Sequence, residues 1–143
     1  VYNLQKLLKI MLGWLERNSF FAWTFVIIIA VGIFYVSSLQ GGQTGGGGRS
    51  IIPIVYHISA FFALALFLFI ASLRGEKNAG IFTFALLVAI FYGISDEIHQ
   101  IFVPGRSSSL GDVFLDSIGI FYAFMIYAIS LQYREIKNGK NGN

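Results

Sequence analysis

The chain has 143 residues, of which 56% are hydrophobic and only 12% are charged, and its formal net charge is +3. So few polar side chains cannot cover a soluble domain of this length, and the mean hydropathy of +0.72 indicates a polytopic membrane protein. The sequence contains no cysteine, which excludes disulfides, thiolate metal sites and a cysteine nucleophile.

Residues 2–17 predict an amphipathic helix with Trp14 near its end. One face carries apolar residues and the other carries polar ones: Leu4, Leu7, Leu8, Met11 and Leu15 against Gln5, Lys6, Lys9, Glu16 and Arg17. The pattern is typical of an anchor on an anionic inner membrane surface. A cytoplasmic stub whose charges set the topology fits equally well. We treat residues 1–18 as a separate cytoplasmic or interfacial segment.

Four apolar segments follow, each with enough residues to cross a hydrocarbon core about 30 Å thick. They are Ser19–Leu39, Ile51–Leu73, residues 79–100 and Leu110–Leu131. The glycine-rich stretch 41–48 predicts a flexible linker, because no Gly-Lys-Ser/Thr follows it as in a phosphate-binding loop. The predicted fold is an all-α membrane protein, with four transmembrane helices in residues 19–131, the amphipathic N-terminal helix, and a basic cytoplasmic tail at 132–143.

The distribution of lysine and arginine predicts the orientation of these helices. Eight of the ten basic residues lie in the N-terminal segment, the loop at 74–78 and the C-terminal tail, whereas Arg49 and Arg106 lie in the other two connections. Because cytoplasmic loops carry the excess of positive charge, both termini should be cytoplasmic. The segment from Asp96 to Arg106 is then expected to be extracytoplasmic.

Residues 92–119 contain four of the seven acidic residues of the chain, between two long apolar segments. At about 1.5 Å per residue, Tyr35, His57, Asp96 and Asp116 each lie about 26–27 Å from the charges at the other end of their helix. The four helices should therefore present polar residues at one level, near the outer boundary of the hydrocarbon. Charged groups at such a depth are usually kept for a function or for a partner.

Spacing predicts which side chains share a helical face. Asp96, His99 and Gln100 lie three and four residues apart, so one face can present all three, whereas Glu97 lies about 100° to the side. Asp112 and Asp116 are also four apart. Two carboxylates on one face in a medium of low dielectric constant need a proton, a cation or an arginine between them.

Three kinds of chemistry fit these residues: proton transfer by a histidine or a proton-sharing carboxylate, binding of a hard cation by the carboxylates, and phosphate recognition by Arg106. Structural alternatives stay open beside them. Arg106 can pair with Asp96 or Asp112, Asp112 can serve with Ser109 as a capping box for the last helix, and His57 can be a hydrogen-bonded packing residue.

The sequence resembles the VanZ-like family of small membrane proteins, whose best-known member is associated with resistance to the glycopeptide antibiotic teicoplanin. The resemblance rests on residues 92–100, Phe102, residues 104–106, Asp112 and Gly119, with further similarity at residues 34–38 and His57. Two departures concern Pro53-Ile54, where members often have Asp-Lys, and Asp116, where many have Asn. The resemblance implies a four-helix membrane domain of the cell envelope and supplies no reaction.

Together these arguments give a set of candidate site residues. As acid/base residues we select Asp96, His99, Asp112 and Asp116, and as ligand-binding residues Glu97, Gln100, Arg106, His57, Tyr35 and Ser38. We assign no metal ligand and no cofactor.

Three functions are consistent with these candidates, so enzymatic activity stays open. The first is a cell-envelope protein whose outward-facing polar site recognises a lipid-linked envelope intermediate, an anionic lipid head group or a glycopeptide-type ligand. The second is a membrane enzyme that modifies a lipid head group, and the third is a structural subunit of a membrane complex. The expected partners are membrane lipids or a lipid-linked precursor, with self-association or a second membrane protein as alternatives, and no nucleic acid.

Overall fold

The structure, a computed structural model, describes residues 2–39, 51–106 and 108–140, with the side chains of 6–39, 51–106 and 108–137. This part of the chain forms five α-helices: α1 (Tyr2–Arg17), α2 (Ser19–Ser38), α3 (Ile51–Leu73), α4 (Ala79–Ile101) and α5 (Leu110–Lys140). The predicted linker at 41–48 lies outside the described residues.

The helices α2, α3, α4 and the part of α5 up to Lys137 are long and apolar enough to cross a membrane. Large apolar side chains are exposed on their outer faces, such as Phe20 (75%), Phe84 (68%) and Phe114 (65%). Such a surface suits lipid rather than water, and helices satisfy their own backbone hydrogen bonds within hydrocarbon. The prediction of an all-α membrane protein with four spans and an N-terminal helix is confirmed.

Local sequence features set the helix ends. Pro53 lies in the first turn of α3, where its missing N–H is not needed. The side chain of Asn78 caps α4 by accepting a hydrogen bond of 3.0 Å from the Ile81 N–H. Gly75, with φ +83°, supplies the left-handed backbone of the turn between α3 and α4.

Because successive helices alternate in direction, one end of the bundle contains Ser37, His57, Asp96 and Asp116. We call it the polar end.

Helix α3 lies at the centre of the bundle and packs most extensively against α5. Its buried side chains, such as Phe61, Leu64 and Phe69, form the core with Ala123 and Tyr127 of α5. The two backbones touch at Gly119: a Cβ added there would lie 2.3 Å from the Ile58 carbonyl oxygen and 2.9 Å from the Phe62 nitrogen. Only glycine permits this approach, which holds the polar parts of α3 and α5 together.

The opposite end of the bundle differs from the prediction in two respects. Glu16, expected on the polar face of α1, is buried at 5% exposure, and its carboxylate accepts hydrogen bonds from Arg134 Nη1 (2.6 Å), Arg134 Nη2 (2.8 Å) and the Tyr127 hydroxyl (3.0 Å). Helix α5 also continues to Lys140 instead of ending at Leu131, because residues 132–138 contain no proline or glycine and Arg134 is anchored on α1. Glu16 thus lies on the same side of α1 as Lys9, as predicted, but this side packs against α5.

Replacing Gly119 with alanine should destabilise the bundle, because the new methyl group would overlap the α3 backbone. Overpacking of this kind costs about 1–3 kcal/mol, which exceeds the gain in helix propensity of up to about 1 kcal/mol from glycine to alanine. We expect the thermal unfolding midpoint in detergent to fall.

Gly32→Ala is the matched control, since nothing lies within 4 Å of a Cβ at that position of α2. Its unfolding midpoint should stay unchanged or rise. Equal midpoints for the two variants would contradict the close approach of α3 and α5.

Candidate polar site at one end of the bundle

Asp96, near the end of α4, is connected to α2. Its Oδ1 accepts a hydrogen bond of 2.6 Å from the Ser37 hydroxyl, and its Oδ2 accepts one of 3.0 Å from Gln100 Nε2. All three residues are buried, with exposures of 1% for Ser37, 5% for Asp96 and 2% for Gln100. The Asp96 carboxylate is thus held rigidly, with a donor on each oxygen.

Glu97 connects the same helix to the start of α5. Its Oε1 accepts from Gln100 Nε2 at 3.1 Å, and its Oε2 accepts from the Ser109 N–H at 3.0 Å. The Ser109 hydroxyl accepts in turn from the Gly111 N–H at 3.0 Å, so Ser109 caps α5 as predicted. In a capping box, the Asp112 carboxylate would accept a hydrogen bond from the Ser109 N–H. Glu97 Oε2 accepts this bond instead, so the capping-box role predicted for Asp112 is wrong.

His57 and Asp116 join α3 to α5 in the interior. His57 Nδ1 and Asp116 Oδ1 are 2.8 Å apart, and the two residues are 4% and 1% exposed. The other carboxylate oxygen, Asp116 Oδ2, is buried without a hydrogen-bond partner. It lies 3.4 Å from the place of a Cβ at Gly93, so this oxygen faces the side of α4 that carries Gly93 and, one turn later, Glu97.

His99 lies at the periphery. Its Nε2 is 3.0 Å from the Ser38 hydroxyl, and its ring stacks on Phe34 with centroids 4.5 Å apart. Asp96 and His99 both contact α2, through Ser37 and Ser38, and Gln100 bonds to Asp96, in agreement with the predicted shared face. Glu97 lies to the side and contacts the start of α5. Tyr35 is 63% exposed, and the structure does not bring it to these residues.

Arg106 is held by a backbone carbonyl. Its Nη2 donates a hydrogen bond of 2.6 Å to the Val36 carbonyl oxygen, and its Nε is buried without a partner. Among the described residues, the ion pairs are His57–Asp116, Lys77–Glu135 and Arg134–Glu16. The alternative that Arg106 pairs with Asp96 or Asp112 is therefore contradicted within that part of the chain, where its guanidinium group forms no ion pair.

The arrangement supports two kinds of chemistry. A buried histidine fixed by a carboxylate is the arrangement that general acid/base catalysis uses. His57, Glu97 and Asp116 also offer donor atoms within 4.8 Å of one another, a set that can hold a metal ion. Asp112 is half-buried, and its carboxylate makes no hydrogen bond within the described residues, so it is available to a ligand.

Sequence reasoning missed three participants. Ser37 was not selected although its neighbours were, and four of the last five residues of α2 are polar or aromatic. The Tyr56 hydroxyl is buried without a partner, close enough to Asp96, Arg106 and Asp116 to be affected by their charges. Its position next to His57 was the signal that could have found it. Gly93, which faces Asp116, stood within the motif, but a glycine gives no chemical hint of its neighbours.

Four apolar helices with carboxylate, imidazole and guanidinium groups gathered at one end define an integral membrane protein with a polar site. The family model described as VanZ/LLP1 matches residues 15–131, and the chain belongs to this family. The match begins at the end of α1 and includes all four apolar helices, so it contains every residue of the polar end. No curated protein and no solved structure matches the chain.

Replacing Ser37 with alanine should destabilise the protein, because it leaves one oxygen of the buried Asp96 carboxylate without its donor. We expect a loss of about 1–2 kcal/mol in the free energy of unfolding, measured by denaturation in detergent. In the control Ser95→Ala, the lost hydroxyl is exposed and donates only within α4, to the Tyr92 carbonyl oxygen. A similar loss in both variants would contradict a specific contact between Ser37 and Asp96.

Proposed function

We propose that the polar end recognises the phosphate-bearing head group of a membrane lipid or of a lipid-linked envelope intermediate at the outer boundary of the membrane. The proposal rests mainly on the contacts of the Arg106 side chain. Its guanidinium group is fixed by the Val36 carbonyl oxygen but forms no ion pair with a carboxylate in the described part of the chain. A planar guanidinium group suits the oxygens of a phosphate, which can accept two parallel hydrogen bonds.

The start of α5 supports the same ligand chemistry. The N–H groups of Gly111, Asp112 and Val113 already bond to Ser109, so the support comes from the helix dipole, which favours negative charge at this end. Helix α5 begins at Leu110, four residues after Arg106, so the guanidinium group and this helix end belong to the same short connection. An anionic head group close to Arg106 would be stabilised by the guanidinium group and by the dipole of α5.

Charge along the chain supports the proposed side of the membrane. Lysine and arginine lie predominantly in the segments at the end opposite the polar end, including Arg17, Arg74, Lys77 and Arg134. By the positive-inside rule, that end is cytoplasmic and the polar end faces outwards. A ligand would then be a lipid of the outer leaflet or one that reaches it.

An enzymatic version of this function is favoured by the pair of His57 and Asp116. The carboxylate orients the imidazole ring, as a general base requires, and the pair lies buried where water is scarce. In this version Arg106 would hold the phosphate, and His57 would accept the proton of a hydroxyl group or of water as its oxygen bonds to phosphorus. The P–O bond to the leaving alcohol would break, and the protonated His57 would return the proton to the departing oxygen.

Replacing Arg106 with glutamine should weaken the retention of anionic lipid. Loss of a charge-assisted contact worth at least about 1.4 kcal/mol corresponds to about tenfold weaker binding. We would reconstitute wild type and variant in vesicles of phosphatidylglycerol, undecaprenyl phosphate and a neutral lipid. Mass spectrometry would then count the lipids retained on extraction and detect any new lipid product.

The matched control is Arg17→Gln, an exposed arginine at the other end of the bundle, which should retain outer-leaflet lipid like the wild type. Equal retention by the Arg106 variant would contradict the proposal. A product that appears with wild type and disappears with Asp116→Asn would establish the enzymatic version, whereas retention without any product would assign a binding protein.

A further inference from the structure

Three buried donors from three helices meet at one point of the polar end. His57 comes from α3, Glu97 from α4 and Asp116 from α5, and each offers a donor atom within 4.8 Å of the other two. Their exposures are 4%, 3% and 1%. These three side chains come from three different helices. Each helix must therefore be rotated so that its polar residue faces the interior, which helix amphipathicity alone does not explain.

One donor atom in this group lacks a partner. Among the described residues Asp116 Oδ2 is buried without a hydrogen bond, although an unsatisfied carboxylate oxygen away from water is costly. It faces the side of α4 on which Glu97 lies, because Gly93, one turn before Glu97, leaves the space beside it. The unsatisfied atom lies beside Gly93, and a positively charged group between Asp116 and Glu97 would stabilise both acids.

The local charge supports a cation at this point. Glu97 and Asp116 place two carboxylates near one imidazole ring, and Arg106, the nearest permanently charged side chain in the motif, is bound to a carbonyl of α2 instead. Two carboxylates in a medium of low dielectric constant repel each other unless a proton or a cation lies between them. A divalent cation would neutralise the pair and satisfy Asp116 Oδ2.

The separation of His57 and Asp116 suits a metal ion of ordinary size, and Glu97, whose donor lies within 4.8 Å of both, would move towards the ion. With metal–ligand bonds of about 2.1 Å, neighbouring donors lie about 3.0–3.4 Å apart. His57 Nδ1 and Asp116 Oδ1 are already 2.8 Å apart, so little movement is needed for both to bind one ion. One imidazole with two carboxylates is a donor set that suits Zn²⁺ or Mn²⁺ better than Ca²⁺ or Mg²⁺, which prefer oxygen donors only.

We propose that His57, Glu97 and Asp116 form a binding site for one divalent transition-metal cation, Zn²⁺ or Mn²⁺. Binding displaces any proton shared by the pair of His57 and Asp116. Three protein donors leave at least one coordination position free, which an oxygen of the head-group phosphate can occupy. That last point rests on the proposed function; binding of the cation itself does not.

The test measures metal binding by the full chain in lipid-free detergent, after removal of any affinity tag and dialysis against a chelator. Equilibrium dialysis with ZnCl₂ or MnCl₂ and elemental mass spectrometry give the stoichiometry and the dissociation constant. We expect one ion per chain for wild type and at least tenfold weaker binding for Glu97→Gln, His57→Gln and Asp116→Asn. The added metal should also raise the thermal unfolding midpoint of wild type but not of these variants.

Two matched variants serve as controls. His99→Gln removes a histidine outside the group, and Asp96→Asn removes an equally buried carboxylate that is not among the three donors. Both should bind the ion like the wild type. Wild type without saturable binding, or ligand variants that bind as tightly as the controls, would overturn the site. The midpoint shift of wild type keeps the test decisive if a ligand variant fails to fold.

The result is separable from the proposed function. If the protein binds one ion per chain but wild type and Arg106→Gln retain lipid equally, only the head-group proposal is contradicted. If lipid retention depends on Arg106 but the protein binds no metal, only the cation site is contradicted.

Discussion

The contact between α3 and α5 is the constraint on which the rest of the structure depends. At Gly119 the two backbones are so close that any side chain would overlap the Ile58 carbonyl, and the contact between His57 and Asp116 lies at the same interface. Each of these side chains would cost several kcal/mol if left unpaired in hydrocarbon, so each depends on the other. Gly93 packs against the same aspartate, and the position of α4, with Asp96 and Glu97, follows from it.

The two ends of the bundle use buried charge in opposite ways. At the end with α1, Glu16 receives two hydrogen bonds from Arg134 and one from Tyr127, a closed network that joins α1 to α5. At the polar end, the Tyr56 hydroxyl, Arg106 Nε and Asp116 Oδ2 are buried without partners. Native proteins keep few such groups, and those that remain are concentrated at functional sites. This contrast is the basis for proposing a ligand at the polar end, whereas the network around Glu16 is closed within the protein.

Most of the fold could be predicted from hydropathy and helix-end signals. The bounds of α3 and the starts of α2, α4 and α5 follow from apolar length, Asn78, Ser109 and the glycine-rich stretch. The common level of His57, Asp96 and Asp116 at one end of the bundle could also be predicted, because the rise per residue is fixed. The hydrogen-bond partners of these residues could not be predicted. Whether Glu97 or His99 faces the interior depends on the rotation of α4, which is set by helix packing at Gly93 and Gly119. The pairing of Glu16 with Arg134 spans almost the whole chain, and no local pattern reports it.

The most direct test of a coupled polar end is a double-mutant cycle on His57 and Asp116, carried out with metal-free protein in detergent. The free energies of unfolding of wild type, His57→Gln, Asp116→Asn and the double variant give the coupling between the two side chains. A direct contact predicts a double variant less destabilised than the sum of the single ones, by about 1 kcal/mol or more. Additivity within about 0.5 kcal/mol would show that α3 and α5 do not meet through this pair, and would contradict the account.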